Sequence, residues 1–167
     1  MARRKAKNLE LEAFEALQKA YYELSTTIYS EVAGRPLTTS QFRVLEGIHR
    51  FGPMYQIDVA KYIHKTTGNI TTVIDSLERH GLVERVRGED DRRYFKIHLT
   101  QEGKKLIAKQ NKIYLDTLKK EMGIFSENEL SEIIRLGSKI QLEEKICPPL
   151  ARLKSKINKV FDLYLNP

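Results

Sequence analysis

The chain has 167 residues, 29 of them Lys or Arg and 22 Asp or Glu, for a formal charge of +7. That length suits one domain, or one domain with an extension, and 41% hydrophobic residues can fill a real core. No apolar run approaches the ~18 residues of a membrane span, and one cysteine, Cys147, excludes a disulfide framework or a Cys-rich metal site. The start Met-Ala-Arg-Arg-Lys-Ala-Lys lacks the apolar stretch of a secretory signal, so a soluble cytoplasmic protein is expected. The positive charge favours polyanionic partners only weakly.

Leu9 to Val32 contains neither Gly nor Pro, and Leu9, Phe14, Leu17, Tyr21, Leu24, Ile28 and Val32 step at helical spacing. Gly34-Arg35-Pro36 ends that helix. Thr38 and Gln41 fit a capping box opening a second helix, with Phe42, Leu45 and Ile48 facing a core and Phe51-Gly52-Pro53 closing it. Two short helices follow. Ile57, Val59, Ala60 and Ile63 form the apolar face of the first. Lys65-Thr66-Thr67-Gly68 makes the break, with Thr66 as N-cap, and Ile70, Val73, Ile74 and Leu77 stripe the second until Gly81.

The period then changes. Leu82–Val86 alternates loosely, Arg87–Arg93 is a polar tip, and in Tyr94–Leu99 the residues Phe95, Ile97 and Leu99 share one face while Lys96 and His98 share the other. This predicts a β-hairpin, which must lean on helices to be stable. Thr100 caps a long helix through Leu106, Ile107, Ile113, Tyr114, Leu118 and Met122, broken at Gly123. Ser126 and Glu129 form a second capping box before Leu130, Ile133, Ile134, Gly137, Ile140 and Leu142. Pro148-Pro149 stops that helix, and Leu150–Leu165 again has helical spacing.

The expected fold is therefore mostly α with a small β-hairpin wing, a winged helix-turn-helix with a helical dimerisation region. Its parts are residues 1–36, an N-terminal dimerisation helix; 37–100, the winged unit; and 101–167, further dimerisation helices with an extra tail helix. Thr66, Thr67, Gly68, Asn69, Thr71, Thr72 and Asp75 give the second short helix a small, hydrogen-bonding outer face suited to base edges in a major groove. Capping preference alone explains Thr and Asn there about equally well. At the hairpin, Arg87, Arg92, Arg93 and Lys96 can meet phosphate or a narrow minor groove, and Asp91 can hold an arginine in one rotamer. Lys61 and Lys65 are candidate phosphate contacts.

Residues 37–110 resemble the MarR family of transcription regulators. The resemblance rests on Leu37-Thr38-Thr39-Ser40-Gln41-Phe42-Arg43-Val44-Leu45, on Thr67-Gly68-Asn69-Ile70-Thr71 and on Leu77-Glu78-Arg79-His80-Gly81-Leu82-Val83. Its most specific part is Asp91-Arg92-Arg93 followed by Leu99-Thr100 and Glu102-Gly103. The resemblance implies a homodimer joined by the first and last helices, Arg93 reaching the minor groove with Asp91 holding it, and the helix from about Asn69 in the major groove. Two turn positions depart from the family pattern: His64 stands where glycine is usual, and Thr67 where proline is frequent. The segment Pro148–Pro167 extends beyond the usual end.

The family places a small, often aromatic, effector between the dimerisation helices and the winged unit. Tyr21, Tyr22, Tyr29, Phe42, His49, Tyr55 and Tyr62 are candidates to line such a cleft, although each singly reads more simply as a core aromatic. The expected partners are double-stranded DNA, a second copy of the chain and such an effector, with no cofactor and no membrane.

Three features point away from other chemistry. His49, His64, His80 and His98 show no i, i+4 pairing for a metal. Cys147 lies near the carboxy end, not in the first helix where the family's peroxide sensors carry theirs. No phosphate loop, serine elbow or Cys–His arrangement supports catalysis. The rival readings are a winged-helix module that binds protein rather than specific DNA and, more weakly, a small metal-dependent enzyme.

Overall fold

The computed structural model describes residues 8–32, 37–88 and 94–139. Along them run α1 (Leu9–Val32), α2 (Thr39–Phe51), β1 (Met54–Tyr55), α3 (Gln56–Tyr62), α4 (Thr67–Arg79), β2 (Val83–Arg87), β3 (Phe95–Leu99), α5 (Gln101–Met122) and α6 (Glu127–Lys139). The expected tail helix, with Ile140, Leu142, Cys147 and Pro148–Pro167, lies outside the described residues.

Helix starts sit where the capping residues place them. Gln41 N donates to Thr38 Oγ1 at 3.3 Å while Thr38 N donates to Gln41 Oε1 at 2.8 Å, a reciprocal box that satisfies two otherwise orphan amides. Thr66 caps α4 by accepting from Asn69 N, and Ser126 caps α6 in the same way through Glu129 N. Thr100 caps α5, accepting from Gly103 N at 3.0 Å and donating its own hydroxyl to Gly81 O at 2.6 Å.

The core lies within the winged unit. Ile70, Ile74 and Leu77 of α4 are fully buried against Val44 and Leu45 of α2, Ile97 of β3 and Ile107 of α5. Ile57, expected on the apolar face of α3, instead stays exposed, and Val59, Ala60 and Ile63 carry that helix into the core. The hairpin forms as expected, Val83 opposite Leu99 and Arg87 opposite Phe95. A third strand was not visible in the sequence: Met54 and Tyr55 pair with Ile97 and Lys96, giving a sheet ordered β1-β3-β2. Two residues are too few to show an alternating pattern. Outside this unit α1 packs along α5 yet buries only Ile28 and Val32, and no residue of α6 is buried.

Two backbone positions decide how tightly the unit closes. His64, between α3 and α4, sits at φ 56°. Around it His64 N donates to Lys61 O and Lys65 N to Ala60 O, and Arg43 Nη1 and Nη2 donate to the carbonyls of Ile63 and Tyr62. This left-handed conformation costs a residue with a Cβ about 1–2 kcal/mol, which gives the glycine preference at this turn its physical reason. At Gly103 a Cβ would stand 2.0 Å from Leu82 O, so only a bare Cα lets α5 approach the corner between α4 and β2.

Two substitutions check these constraints by urea unfolding. Gly103→Ala is expected to cost at least about 3 kcal/mol, the upper range of overpacking. Gly68→Ala, where a Cβ meets nothing within 4 Å and the residue lies in the first turn of α4, serves as its control and is expected to stabilise by up to about 1 kcal/mol. His64→Gly is expected to stabilise by up to about 1 kcal/mol, the relief of strain less the extra freedom glycine brings to the unfolded chain. Destabilisation would show that the imidazole makes contacts worth more than the strain.

Candidate nucleic-acid interface

Helix α4 has two unlike faces. Ile70, Ile74 and Leu77 point inward with no accessible surface, whereas Thr66, Thr67, Gly68, Asn69 and Thr72 are exposed along the N-terminal half. Nothing stands within 4 Å of a Cβ built at Gly68. The exposed face is thus small, uncharged and rich in hydrogen-bonding groups, beside a helix terminus whose first amides face outward.

Two residues of the expected reading face are engaged by other side chains of the protein. Thr71 is half-buried; its hydroxyl donates to Thr67 O at 3.0 Å and accepts from Gln56 Nε2 at 2.7 Å. Asp75 does not stand free toward a ligand, because its Oδ1 accepts from Arg85 Nη2 of β2. Sequence reading missed Gln56 and Arg85, since a single polar residue gives no hint of the partner that folding brings to it. Gln41 was read only as a cap, yet its Nε2 also donates to Ser76 Oγ at 3.1 Å, tying α2 to α4.

On the wing, Arg87 is exposed, with its Cζ 5.8 Å from the centre of the Phe95 ring. Lys96 Nζ lies 5.1 Å from the Tyr55 ring centre, and Tyr55 meets Tyr94 edge-on at 6.4 Å. Lys65 is exposed at the turn before α4, and Lys61 is half-buried in the last turn of α3. Asp91, Arg92 and Arg93 fall outside the described residues.

The seven expected cleft residues do not converge on one site. Tyr29 and Phe42 join Tyr114 in a cluster where α1, α2 and α5 meet, with Tyr29 and Tyr114 stacked at 6.2 Å and Phe42 tilted 5.5 Å from Tyr114. Burial raises the Tyr29 phenol above its usual range and pushes Tyr114 up to about 12. Tyr62 packs edge-on against Phe51 and donates to Glu46 Oε2; burial first, and then the Glu46 carboxylate, push its phenol upward. Tyr55 belongs to the wing. His49 lines a separate cavity of about 370 Å³ with Ile48, Gly52, Pro53, His98, Leu99 and Lys104. Tyr21 and Tyr22 are open, 64% and 69% exposed. Tyr114, unnamed from sequence as a cleft residue, has the pairing its position in the α5 stripe allowed.

Among the described residues no three His, Cys, Asp or Glu side chains gather as a metal site would require, and no helix is long and apolar enough to cross a membrane.

Comparison with known proteins places this geometry. Over 124 residues, 74% of this chain and 87% of the relative, the sequence is 27% identical to the uncharacterised HTH-type transcriptional regulator YpoP of Bacillus subtilis. The fold superposes on a mutant of MarR from E. coli complexed with operator DNA, with a TM-score of 0.70 at 18% identity over 81% of this chain and 97% of that one. It also superposes on Bordetella bronchiseptica BpsR, whose DNA binding is regulated by 6-hydroxynicotinic acid, with a TM-score of 0.69 at 22% identity over 78% and 99%. Residues 37–95, from the start of the α2 cap to the first residue of β3, match the model of the MarR family.

Proposed function

We propose that this DNA-binding regulator is a homodimeric repressor that reads a pseudo-palindromic operator and is released by a small aromatic effector. The observation that carries the reading is the two-faced α4: its inner face is pinned by Ile70, Ile74 and Leu77, and its outer face offers Thr67, Gly68, Asn69 and Thr72 without a competing charge. In this reading α4 enters the major groove and those four residues meet base edges. Thr66 and Thr71 hold the helix rather than read sequence. Lys61, Lys65, Arg87, Arg92 and Lys96 meet phosphate and supply the salt-dependent share of affinity, while Arg93, held by Asp91, enters the minor groove beyond the wing.

The dimer reading rests on apolar surface that one chain leaves uncovered. Leu9, Phe14, Leu17 and Tyr21 follow helical spacing along α1 at 58–70% exposure, and Ile133, Ile134 and Leu136 of α6 are 43–47% exposed. Such stripes in a monomer call for a partner, and a second copy closes the set by two-fold symmetry. Residues 1–36 and 101–167 then form the dimerisation region around a winged unit of 37–100. Two recognition helices would read half-sites roughly 10 bp apart. For the effector, the cluster of buried Phe42 with half-buried Tyr29 and Tyr114 at the junction of α1, α2 and α5 is the place where a planar ring would change how the long helices meet the winged unit. The regulation of BpsR by 6-hydroxynicotinic acid supports a ligand of that class.

Selection of genomic fragments by the purified protein at low and moderate salt tests the whole reading. One pseudo-palindrome that stays enriched at the higher salt is expected; enrichment of nothing would favour the protein-binding alternative. On the selected operator, Arg93→Ala is expected to weaken binding by about 1–3 kcal/mol; unchanged affinity of the folded dimer would remove the wing from the interface. Light scattering is expected to give twice the 19.4 kDa chain mass. Leu17→Glu is expected to give the monomer and to lower operator affinity about a hundredfold, because the second half-site is no longer tethered.

A further inference from the structure

We propose that Arg85 is a positioning residue, a guanidinium shared between two carboxylates of the recognition helix that sets the angle of the wing to that helix. Strand β2 is an edge, paired only with β3 in the order β1-β3-β2. Thr100 N donates to Leu82 O and Gly88 N to Tyr94 O, so the even-numbered residues of this strand face β3 and the backbone groups of 83, 85 and 87 face away from it. Sheet pairing alone therefore leaves the outer side of β2 unheld.

Glu78 and Asp75, one turn apart on α4, hold that side. Arg85 N donates to Glu78 Oε1 at 3.3 Å, Arg85 Nη1 donates to Glu78 Oε2, and Arg85 Nη2 donates to Asp75 Oδ1. Main chain and side chain of one strand residue are thus bound to two residues of the helix. The Arg85 side chain is only 21% exposed, so its charge is turned into the protein and not toward a ligand. Charge-assisted bonds with fixed forks are directional, unlike the apolar packing beneath them.

The leverage explains the consequence. From Val83 to Arg87, β2 rises about 13 Å at ~3.3 Å per residue. A tilt of about 15° at its base would move Arg87 by about 3 Å, half the width of a minor groove, about 6 Å. Holding the base of the wing against α4 makes the spacing of the two DNA-reading elements a property of the free protein. This inference rests on the DNA-reading role proposed above.

The test uses the full chain and has two arms. In the first, amide hydrogen exchange is followed without DNA. Arg85→Gln is expected to speed exchange in β2 and β3 at least tenfold while the Ile70 and Ile74 amides keep their protection. Unchanged wing exchange, or an equal rise throughout α2 and α4, overturns the proposal. The second arm compares affinity for the selected operator and a scrambled duplex of equal length. Arg85→Gln is expected to lose tenfold or more on the operator alone, with an unchanged salt slope. The charge-swapped pair Glu78→Arg with Arg85→Glu is expected to recover at least half of that loss on a logarithmic scale. A loosened wing with an unchanged operator-to-scrambled ratio overturns the proposal, as does equal loss on both duplexes with a shallower slope, which would make Arg85 a phosphate contact. If the unaltered protein prefers no duplex, the DNA-reading role fails while the exchange arm still decides the clamp.

Discussion

The close approach of α5 to the corner between α4 and β2 is the constraint on which the rest depends. Gly103 brings the helix backbone within van der Waals reach of Leu82 O, and Thr100 seals the contact twice, its amide to Leu82 O and its hydroxyl to Gly81 O. Gly81 turns the chain there at φ 67°. One corner, made by residues 81–82 and 100–103, therefore ends α4, begins the wing and starts the long helix α5. Interiors packed to crystal-like density transmit displacement rather than absorb it. A rotation of α5 about its own start thus reaches α4 and β2 through contacts with no slack.

Around that corner α4 is located by two different kinds of force. Burial of Ile70, Ile74 and Leu77 supplies most of the stabilisation, about 1.5–3 kcal/mol for each side chain fully removed from water. Because this force is non-directional, it would tolerate some rotation of the helix. Polar contacts remove that freedom. Gln41 reaches Ser76 from α2, Gln56 reaches Thr71 from the start of α3, and Arg85 reaches Asp75 and Glu78 from the wing. Each is worth little net stability, on the order of 1 kcal/mol, yet three directions of attachment define one orientation. Arg43, lying across the carbonyls that end α3, steadies the turn that the strained His64 must make.

The parts of this arrangement that were legible in the sequence are those governed by neighbours along the chain. Thr38 with Gln41, Thr66, Thr100 and Ser126 with Glu129 announced four helix starts because a cap and its amide are only two or three residues apart. The period change after Gly81 announced the hairpin for the same reason. What stayed hidden depends on residues far apart in sequence. Gln56 meets Thr71 across 15 positions and Arg85 meets Asp75 across ten, and neither pattern differs from that of any exposed polar pair. Asp75 was read as facing DNA because its helical phase is right, and phase does not reveal a strand arriving alongside. The aromatic residues mislead for a related reason. Tyr29 and Tyr55 look alike in sequence, but one joins the α1–α2–α5 junction and the other the edge of the sheet.

Helix α1 carries two sequences in one. Its last two turns belong to the core, with Ile28 and Val32 buried, while Leu9, Phe14, Leu17 and Tyr21 continue the same stripe into solvent. An uninterrupted stripe has no reason to stop where α5 stops covering it, unless a second surface takes over. Covering four such side chains by half would contribute about 3–6 kcal/mol, taking about 1.5–3 kcal/mol for each one fully buried. That is comparable with the net stability of a small domain, about 5–15 kcal/mol. That much uncovered apolar surface is what the proposed second copy would bury. The same reasoning separates the two ends of the molecule. The apolar stripe of α1 loses free energy for as long as it faces water, whereas the polar lip of α4, carrying no charge of its own, loses little there. The assembly and recognition proposed above therefore draw on opposite kinds of surface, and neither competes with the other.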